Sequence, residues 1–314
     1  MERRLTILLV LLLVATPQLS WGQSFLTSGA NVRLRSAPGL GSPVVQMLPL
    51  GTELELADSL RHDAWLPVRT GSGETGWIDE SLVLSISEST YQDVVQSLIS
   101  SRFDRQGDGF VARAELVALI ERVLRLNWDR ENHARLELQR LQALAATLQT
   151  IPFNRGRWDD RLTTWISERS GEVRYNEPGG EWLIDRDTIL RAHADVGVST
   201  VADEIAWLMV QNGLPGECEG VLVCHLEWAD KLEGEYLRRA PSGRHVDEAA
   251  AQVKQIFDYF TERSSYSSDE FDPVRECDAL NATVHSLGEA IRNSSASARA
   301  GLVRQLRDML TLCA

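Results

Sequence analysis

Short runs of alternating apolar and polar residues follow one another between residues 30 and 84. Clusters of glycine, proline, serine and aspartate separate them, a pattern typical of antiparallel strands with one buried face. The apolar positions of these runs are Val32, Leu34, Val44, Met47, Leu48, Leu54, Leu56, Trp65, Val68, Trp77, Ile78, Leu82 and Val83. Because several short strands with one buried face can close on themselves, the alternation predicts a small all-β barrel over residues 23–86.

Beyond residue 90 the apolar period lengthens to three or four residues, which indicates amphipathic helices. The first helix is predicted over residues 91–103, and residues 114–148 predict either one long helix or a helical pair that Pro152 ends. Helical patterns return in the last third of the chain, at 201–212, from His225 through Leu237, from Asp247 onward, after Pro273 and over 298–312. Residues 151–200 are mixed, so this segment is expected to join two helical regions.

A β-hairpin is predicted within the mixed segment, over residues 171–185, because the turn residues Glu177, Pro178, Gly179 and Gly180 interrupt an extended pattern. Tyr175 and Trp182 lie on this hairpin beside acidic residues. Aromatic and acidic side chains together can form a groove for a sugar or a peptide, but aromatic residues more often pack in a core. Packing of the hairpin against the helices is the favoured interpretation.

The first 22 residues have the composition of a secretory signal peptide. Arg3 and Arg4 precede an apolar core at residues 5–15, and the small residues Ser20 and Gly22 suit a cleavage site. The core is shorter than the roughly 20 residues that span a bilayer. We therefore expect cleavage after Gly22 and a secreted or periplasmic mature protein without a transmembrane anchor; the alternative is an uncleaved anchor.

The details of the predicted barrel resemble a bacterial SH3 (SH3b) domain. Val32-Arg33 is followed by Ser36-Ala37-Pro38, Gly51-Thr52 opens a strand, Trp65 precedes Val68, and Gly76-Trp77-Ile78 leads to Leu82. In physical terms Gly51 permits a tight hairpin and the two tryptophans supply core. The resemblance implies a non-catalytic module that binds peptidoglycan or another envelope component, and the alternative is a barrel that only packs against the rest of the chain.

Residues 104–115 resemble the calcium loop of an EF-hand. The resemblance places metal ligands at Asp104, Gln106, Asp108, Phe110 and Glu115. Gly109 lies at the sixth position, where the loop turns sharply, but Gln106 and Ala112 depart from the pattern. A calcium ion needs six to eight oxygen ligands, so we expect any site here to be weak, with a dissociation constant of about 10⁻⁴–10⁻³ M. The alternative is a helix-turn-helix that binds no metal.

All four cysteines lie in the last third of the chain, at Cys218, Cys224, Cys277 and Cys313. An even number in an exported chain indicates disulfides, with three possible connectivities. Sequential pairing is favoured because each bond would then hold one local unit. The dipeptide Cys224-His225 has no second Cys-His cluster at ligand spacing, which argues against a metal or nucleophilic site there.

Residues 235–249 resemble the junction between tetratricopeptide-like helical repeats. Pro241 and Gly243 stop one helix, Asp247 and Glu248 suit the start of the next, and Ala249 allows close packing. One such junction is clear. It implies a solenoid-like arrangement of helical hairpins.

The net charge of −13 argues against binding nucleic acid or an anionic membrane through bulk charge. The six histidines are scattered without the helix-spaced pair of metal-dependent amidases. A carboxylate-dependent cell-wall hydrolase leaves no sequence motif and stays open as an alternative.

The sequence as a whole predicts a multidomain protein in five segments. These are a signal peptide (1–22), an SH3-like barrel (23–86), a helical region with the EF-hand-like loop (87–150), the mixed segment (151–200) and a helical domain with disulfides (201–314). We expect a small all-β barrel and a mostly α-helical, solenoid-like domain stapled by disulfides. Its expected function is non-catalytic binding in the bacterial envelope, with peptidoglycan or envelope proteins as partners and Ca²⁺ as a possible ligand; the alternatives are the hydrolase and a calcium-responsive adaptor.

Overall fold

The computed structural model describes residues 23–103, 105, 107–153, 156, 158–262 and 273–313. The predicted signal peptide lies outside these residues. The chain divides into two compact units, one extending to Leu98 and the other beginning at Ile99.

The first unit is a seven-stranded antiparallel sheet. Its strands are β1 (Ser24–Thr27), β2 (Val32–Arg35), β3 (Val44–Leu48), β4 (Glu53–Leu56), β5 (Trp65–Thr70), β6 (Thr75–Asp79) and β7 (Val83–Ile86). Their order in the sheet is β3-β2-β6-β5-β4-β1-β7. A short 3₁₀ turn, Glu80–Leu82, leads into β7, and the Asp79 side chain caps it by accepting from the Ser81 amide. The strands therefore occupy the segment in which alternation predicts the barrel.

Aliphatic side chains and Phe25 form the core of the barrel. The buried members of this cluster are Phe25, Val32, Leu34, Leu48, Leu54, Leu66, Val68, Ile78 and Val83. Trp65 and Trp77, which the sequence assigns to the core, are only half-buried. Indole rings are large and rarely fully enclosed, so in a barrel this small the branched aliphatic residues fill the centre.

One buried hydroxyl fixes the turn between β3 and β4. Thr27 is fully buried, and its Oγ1 donates to the Pro49 carbonyl at 2.6 Å and accepts from the Thr52 amide at 2.8 Å. Gly51 adopts a φ of 67°, a left-handed conformation that glycine takes without strain. The expected tight turn at Gly51 is thus held by hydrogen bonds to β1.

The second unit is mostly helical. Its helices, counted from one that begins before the boundary, are α1 (Tyr91–Phe103), α2 (Phe110–Val123), α3 (Arg130–Leu148), α4 (Asp160–Glu168), α5 (Arg186–Val196), α6 (Ala202–Asn212), α7 (Leu222–Ala229), α8 (Glu235–Arg239), α9 (Val246–Glu262), α10 (Pro273–Asn293) and α11 (Arg299–Met309). A two-stranded hairpin, β8 (Val173–Asn176) and β9 (Glu181–Ile184), separates α4 from α5. Among the described residues, no helix is both long and apolar enough to cross a membrane.

The pattern over 114–148 forms two helices. α2 ends at Val123, whose carbonyl accepts from the Trp128 indole N–H at 2.7 Å. α3 begins after Asp129, whose carboxylate accepts from the amides of Glu131 and Asn132. These bonds supply partners for helix-terminal groups that would otherwise be unsatisfied. The helical pair is therefore the correct one of the two alternatives.

Aromatic side chains pack the hairpin into the helical unit. The Tyr175 and Trp182 rings lie 5.3 Å apart, and Trp182 also lies 6.0 Å from Trp158. Glu172, which immediately precedes β8, also pairs with Arg140 of α3 at 3.1 Å. The rings thus contact other rings of the unit, an arrangement that agrees with the packing interpretation.

Tyr236 joins three elements of the C-terminal part of this unit. Its ring is fully buried and lies 5.1 Å from Trp207 of α6. Its hydroxyl donates to Asp203 at 2.6 Å and accepts from the His245 amide at 3.0 Å. Burial and the bond to Asp203 raise the pKa of Tyr236, so the phenol keeps its proton. Through this side chain, the turn before α9 is fixed to α6 and α8.

Two disulfides tie this part of the chain together. Cys218 bonds to Cys224 and Cys277 bonds to Cys313, which is the sequential pairing. The first closes the short loop before α7. The second joins the beginning of α10 to the 3₁₀ turn Leu310–Cys313 that follows α11.

Loss of the longer-range disulfide should destabilise the protein more than loss of the short one. The bonded cysteines are separated by 36 residues in one case and by 6 in the other. In the chain-entropy model these loops correspond to about 4 and about 2 kcal/mol. Urea denaturation of Cys277→Ser/Cys313→Ser and Cys218→Ser/Cys224→Ser under non-reducing conditions measures both. Equal losses, or a larger loss for the short loop, would contradict the expectation.

Gly76→Ala should destabilise the barrel by about 1–3 kcal/mol, the usual cost of overpacking. A methyl group at Gly76 would lie 2.7 Å from the Arg35 carbonyl oxygen and 2.8 Å from Leu34 Cγ, so β2 would have to move away from β6. Gly71→Ala is the matched control, because a methyl group there meets no atom within 4 Å. Thermal unfolding of both variants gives the comparison, and similar melting temperatures would argue against this close contact.

Candidate functional site

The predicted calcium loop lies only partly within the described residues. Asp104 and Gln106 fall outside them, while Phe110 begins α2 and packs edge-on against Trp165 at 5.5 Å. The pKa of the nearby Arg102 is lowered, chiefly by burial, while the negative charges of Asp108 and Glu115 act to raise it. Where the structure describes the chain, no group of three or more histidine, cysteine, aspartate and glutamate side chains could hold a metal ion. Calcium binding at this loop therefore stays a prediction.

The barrel presents apolar side chains along β3, the strand at one end of the sheet order. Val44, Val45 and Met47 are 43–44 % exposed, and Leu40 in the preceding loop is 78 % exposed. β3 pairs with β2 on one side only. Clustered exposed apolar residues commonly mark interaction sites. This set, which we call the β3 edge, is one candidate binding surface.

A cavity of about 640 Å³ opens between α7 and α9 in the helical unit. Its lining residues are Gly220, His225, Glu233, Glu248, Ala251, Gln252, Gln255, Ile256, Tyr259 and Phe260. A cavity of this size is within the usual range for small-molecule sites. It combines apolar and aromatic side chains with polar and acidic ones, so it is the second candidate site.

The buried carboxyl group of this cavity, that of Glu233, comes from an irregular turn of helix. Asp230–Gly234 forms a π-helical segment between α7 and α8, within one continuous helical stretch from Leu222 to Arg239. Such segments are rare and occur frequently at functional sites. Here the segment carries Glu233, which is 7 % exposed and lines the cavity.

Glu233 has no ion-pair partner among the residues that the structure describes. Its neighbours in the π-helical segment do: Lys231 pairs with Glu227, and Asp230 pairs with Arg238. Burial raises the pKa of Glu233 to about 7, and no cation among the described residues compensates for the loss of solvent. At neutral pH this carboxyl therefore exchanges readily between its protonated and ionised forms.

The remaining polar groups of the cavity have distinct surroundings. His225 packs its ring 5.5 Å from Phe260, and burial lowers its pKa, so the imidazole is neutral at neutral pH. Glu248 is half-exposed and lies 3.2 Å from His245, which also contacts Glu204. The cavity thus has a buried acid at Glu233 and a more exposed one at Glu248.

The short disulfide shapes one end of the same cavity. Gly220 lies within the loop that Cys218 and Cys224 close, and its φ of 85° is in the left-handed region. The Val221 amide donates to the Cys218 carbonyl at 2.7 Å, which tightens the turn. A cystine that sequence analysis assigns to stability therefore also positions residues that line the cavity.

Sequence reasoning missed Glu233, although a signal was present. Helical spacing places Leu226, Ala229, Glu233 and Leu237 on one face, and all four are buried. An acidic residue in an otherwise apolar stripe is the observation that identifies such a group. The π-helical segment itself has no comparable sequence signature.

Glu233→Gln should alter the pH dependence of stability. Because the folded state raises the pKa of Glu233 from 4.5 to about 7, the wild-type protein loses up to roughly 3 kcal/mol of stability through this group as the pH rises across that range. The amide does not titrate, so the variant should match the wild type near pH 4.5 and exceed it at about pH 8. Denaturant unfolding at both pH values measures this, with Glu289→Gln on the exposed face of α10 as the control. An identical pH dependence in wild type and Glu233→Gln would contradict the burial argument.

Comparison with known proteins identifies the barrel. The family model described as Bacterial SH3 domain matches residues 28–83. No curated protein and no solved structure matches the chain. The matched segment includes β2 to β6, the 3₁₀ turn and the first residue of β7. The protein therefore carries a bacterial SH3 domain at residues 28–83, followed by a mostly helical region.

Proposed function

We propose that this protein is a non-catalytic binding protein of the bacterial cell envelope, and that its SH3 domain attaches it to the peptide part of peptidoglycan. The bacterial SH3 domain is a binding domain, and the observation that carries the proposal is the exposed β3 edge of this domain. The two disulfides fit an extracellular or periplasmic protein, since such bonds persist in oxidising compartments.

The geometry of the β3 edge suits an extended peptide. A strand at the end of a sheet has backbone N–H and C=O groups on its outer side that can pair with an added strand. Val45 and Met47 alternate along β3 with Gln46, so they share one face. A peptide with small apolar side chains would contact these residues while its backbone pairs with β3.

Bulk charge does not explain attachment to the wall. The chain has a net charge of −13, and cell-wall polymers are themselves often anionic, so long-range attraction is weak. Attachment by the β3 edge depends on apolar contact and backbone hydrogen bonds, which salt screens little. Binding should accordingly persist when ionic strength is raised.

Co-sedimentation with purified sacculi tests the proposal. The protein expressed from residue 23 should pellet with sacculi at moderate and high salt. Val45→Lys/Met47→Lys should reduce pelleting by tenfold or more, because two ammonium groups would have to be desolvated against the bound peptide. The control Thr75→Lys/Ser85→Lys adds the same charge at exposed positions of β6 and β7 and should pellet like the wild type.

Three outcomes would contradict the proposal. The wild-type protein could stay in the supernatant, or both double variants could lose binding to the same extent. Release of soluble wall fragments by the wild-type protein would show a hydrolase instead, and its loss in Glu233→Gln would assign that activity to the cavity.

A further inference from the structure

We propose that the cavity between α7 and α9 binds a primary alkylammonium group, with Glu233 as its counter-ion. The inference is independent of the β3 edge and of wall attachment. The ligand class comprises free aliphatic diamines and the side-chain amine of a diamino acid within a peptide.

A buried acid without an ion pair among the described residues is the first feature that favours a cationic ligand. Glu233 is more than nine-tenths buried, lines the cavity and has no ion pair within the described part of the chain. Among the residues that the structure describes, neither lysine nor arginine contributes to the cavity lining. An isolated carboxylate in such surroundings is costly, so a cation that enters the cavity gains more from it than from a solvent-exposed acid.

The walls of the cavity are the second feature that favours an alkylammonium ligand. Tyr259 and Phe260 lie edge to face with their ring centres 5.0 Å apart, and His225 lies against Phe260. Aromatic faces attract ammonium groups, and the same rings contact an alkyl chain favourably. Because His225 is neutral at neutral pH, it does not repel a cation.

The hydrogen-bond acceptors of the cavity also suit an ammonium group. An ammonium group has three N–H donors and no acceptor. Glu233 can accept from one of them, and Gln252 and Gln255 of α9 carry amide oxygens on the same cavity wall. Glu248, at the more exposed part of the lining, offers a second carboxylate for a second amine.

A metal ion fits this lining less well than an amine does. The described residues include no group of three or more histidine, cysteine and acidic side chains that could hold a metal ion. Two carboxylates with amides and aromatic rings instead match an elongated cation with an apolar middle. The volume of about 640 Å³ accommodates a short alkyl diamine.

Binding should release a proton from Glu233. Glu233 is largely protonated below pH 7 in the empty cavity, and the ammonium group favours the ionised form. Of the elements packed around the π-helical segment, α7 contributes His225 and α9 contributes Glu248 and Tyr259 to the lining, while α6, α8 and α10 contribute no titratable group to it. Apparent affinity should therefore rise by about tenfold per pH unit below pH 7 and level off above it.

Isothermal titration calorimetry with cadaverine tests the proposal on the protein expressed from residue 23. In two buffers of different ionisation enthalpy, close to one proton should be released per cadaverine at about pH 6 and almost none at about pH 8. Glu233→Gln should weaken binding by tenfold or more at pH 8 and abolish the proton release. Glu289→Gln on α10, which removes the same charge from an exposed site, should behave like the wild type.

A second ligand pair distinguishes the two sources of the amine. Nα-acetyl-lysine amide presents a single amine on a peptide-like group, and its Nε-acetylated form has the same shape without the charge. Tighter binding of cadaverine indicates a free diamine, and tighter binding of the lysine derivative indicates a peptide side chain. Equal binding of the charged and acetylated forms, or no binding of either amine at millimolar concentration and pH 8, would overturn the proposal. Amine binding with an unchanged proton release in Glu233→Gln would overturn it as well.

Discussion

The position of the Tyr236 side chain is the constraint on which the C-terminal half of the helical unit depends. Its phenol is fully buried and has both a donor and an acceptor role, toward Asp203 and toward the His245 amide. A buried hydroxyl that lost either partner would cost about 1–3 kcal/mol. Since the partners come from α6 and from the turn before α9, satisfying this one group fixes where α9 begins relative to α8. The opposite wall of the cavity follows from that placement.

The π-helical segment places an acidic side chain, Glu233, on the wall of this cavity. The segment is of a kind that occurs frequently at functional sites, and it carries the acid Glu233 at a buried position. The neighbouring acid, Asp230, instead contacts Arg238 and Ser286, whereas Glu233 has no ion pair among the described residues. Two acids three residues apart in one helical segment thus have opposite surroundings. The difference between them is a matter of packing and not of residue type.

Local pattern predicts most of this fold, and tertiary packing decides the rest. The alternation between residues 30 and 84 predicts the barrel because strand periodicity is a property of neighbouring residues. It assigns Trp65 and Trp77 to the core, whereas the actual core consists of aliphatic side chains and Phe25, because the volume available inside a closed sheet is not encoded locally. The division between α2 and α3 rests on a capping aspartate, Asp129, which sequence can reveal. The π-helical segment cannot be predicted in this way, since it depends on how α7 and α8 pack on α9 and α10.

The candidate site was harder to predict than the fold for the same reason. The cysteine spacing favours the observed pairing, but it says nothing of the cavity that the loop of Cys218 and Cys224 borders. An acid on an apolar helical stripe, at Glu233, is a visible anomaly, but its environment follows only from the walls that α9 supplies. Conversely, the EF-hand-like residues form a recognisable sequence pattern, and their metal binding stays a prediction.

The burial of Glu233 affects both the stability of the fold and the proposed binding of a cation. Glu233 is a buried acid with no counter-ion among the described residues, so its ionised form opposes folding, and movement of the side chain into solvent would remove this cost. Two features restrict that movement: the Cys218–Cys224 bond holds the chain on the N-terminal side of the π-helical segment, and the Tyr236 hydrogen bonds hold it on the C-terminal side. The desolvation cost of the Glu233 carboxylate is therefore retained in the folded protein. A ligand that supplies the positive charge would recover this free energy, so the bonds that hold Glu233 in place would also favour the proposed cation.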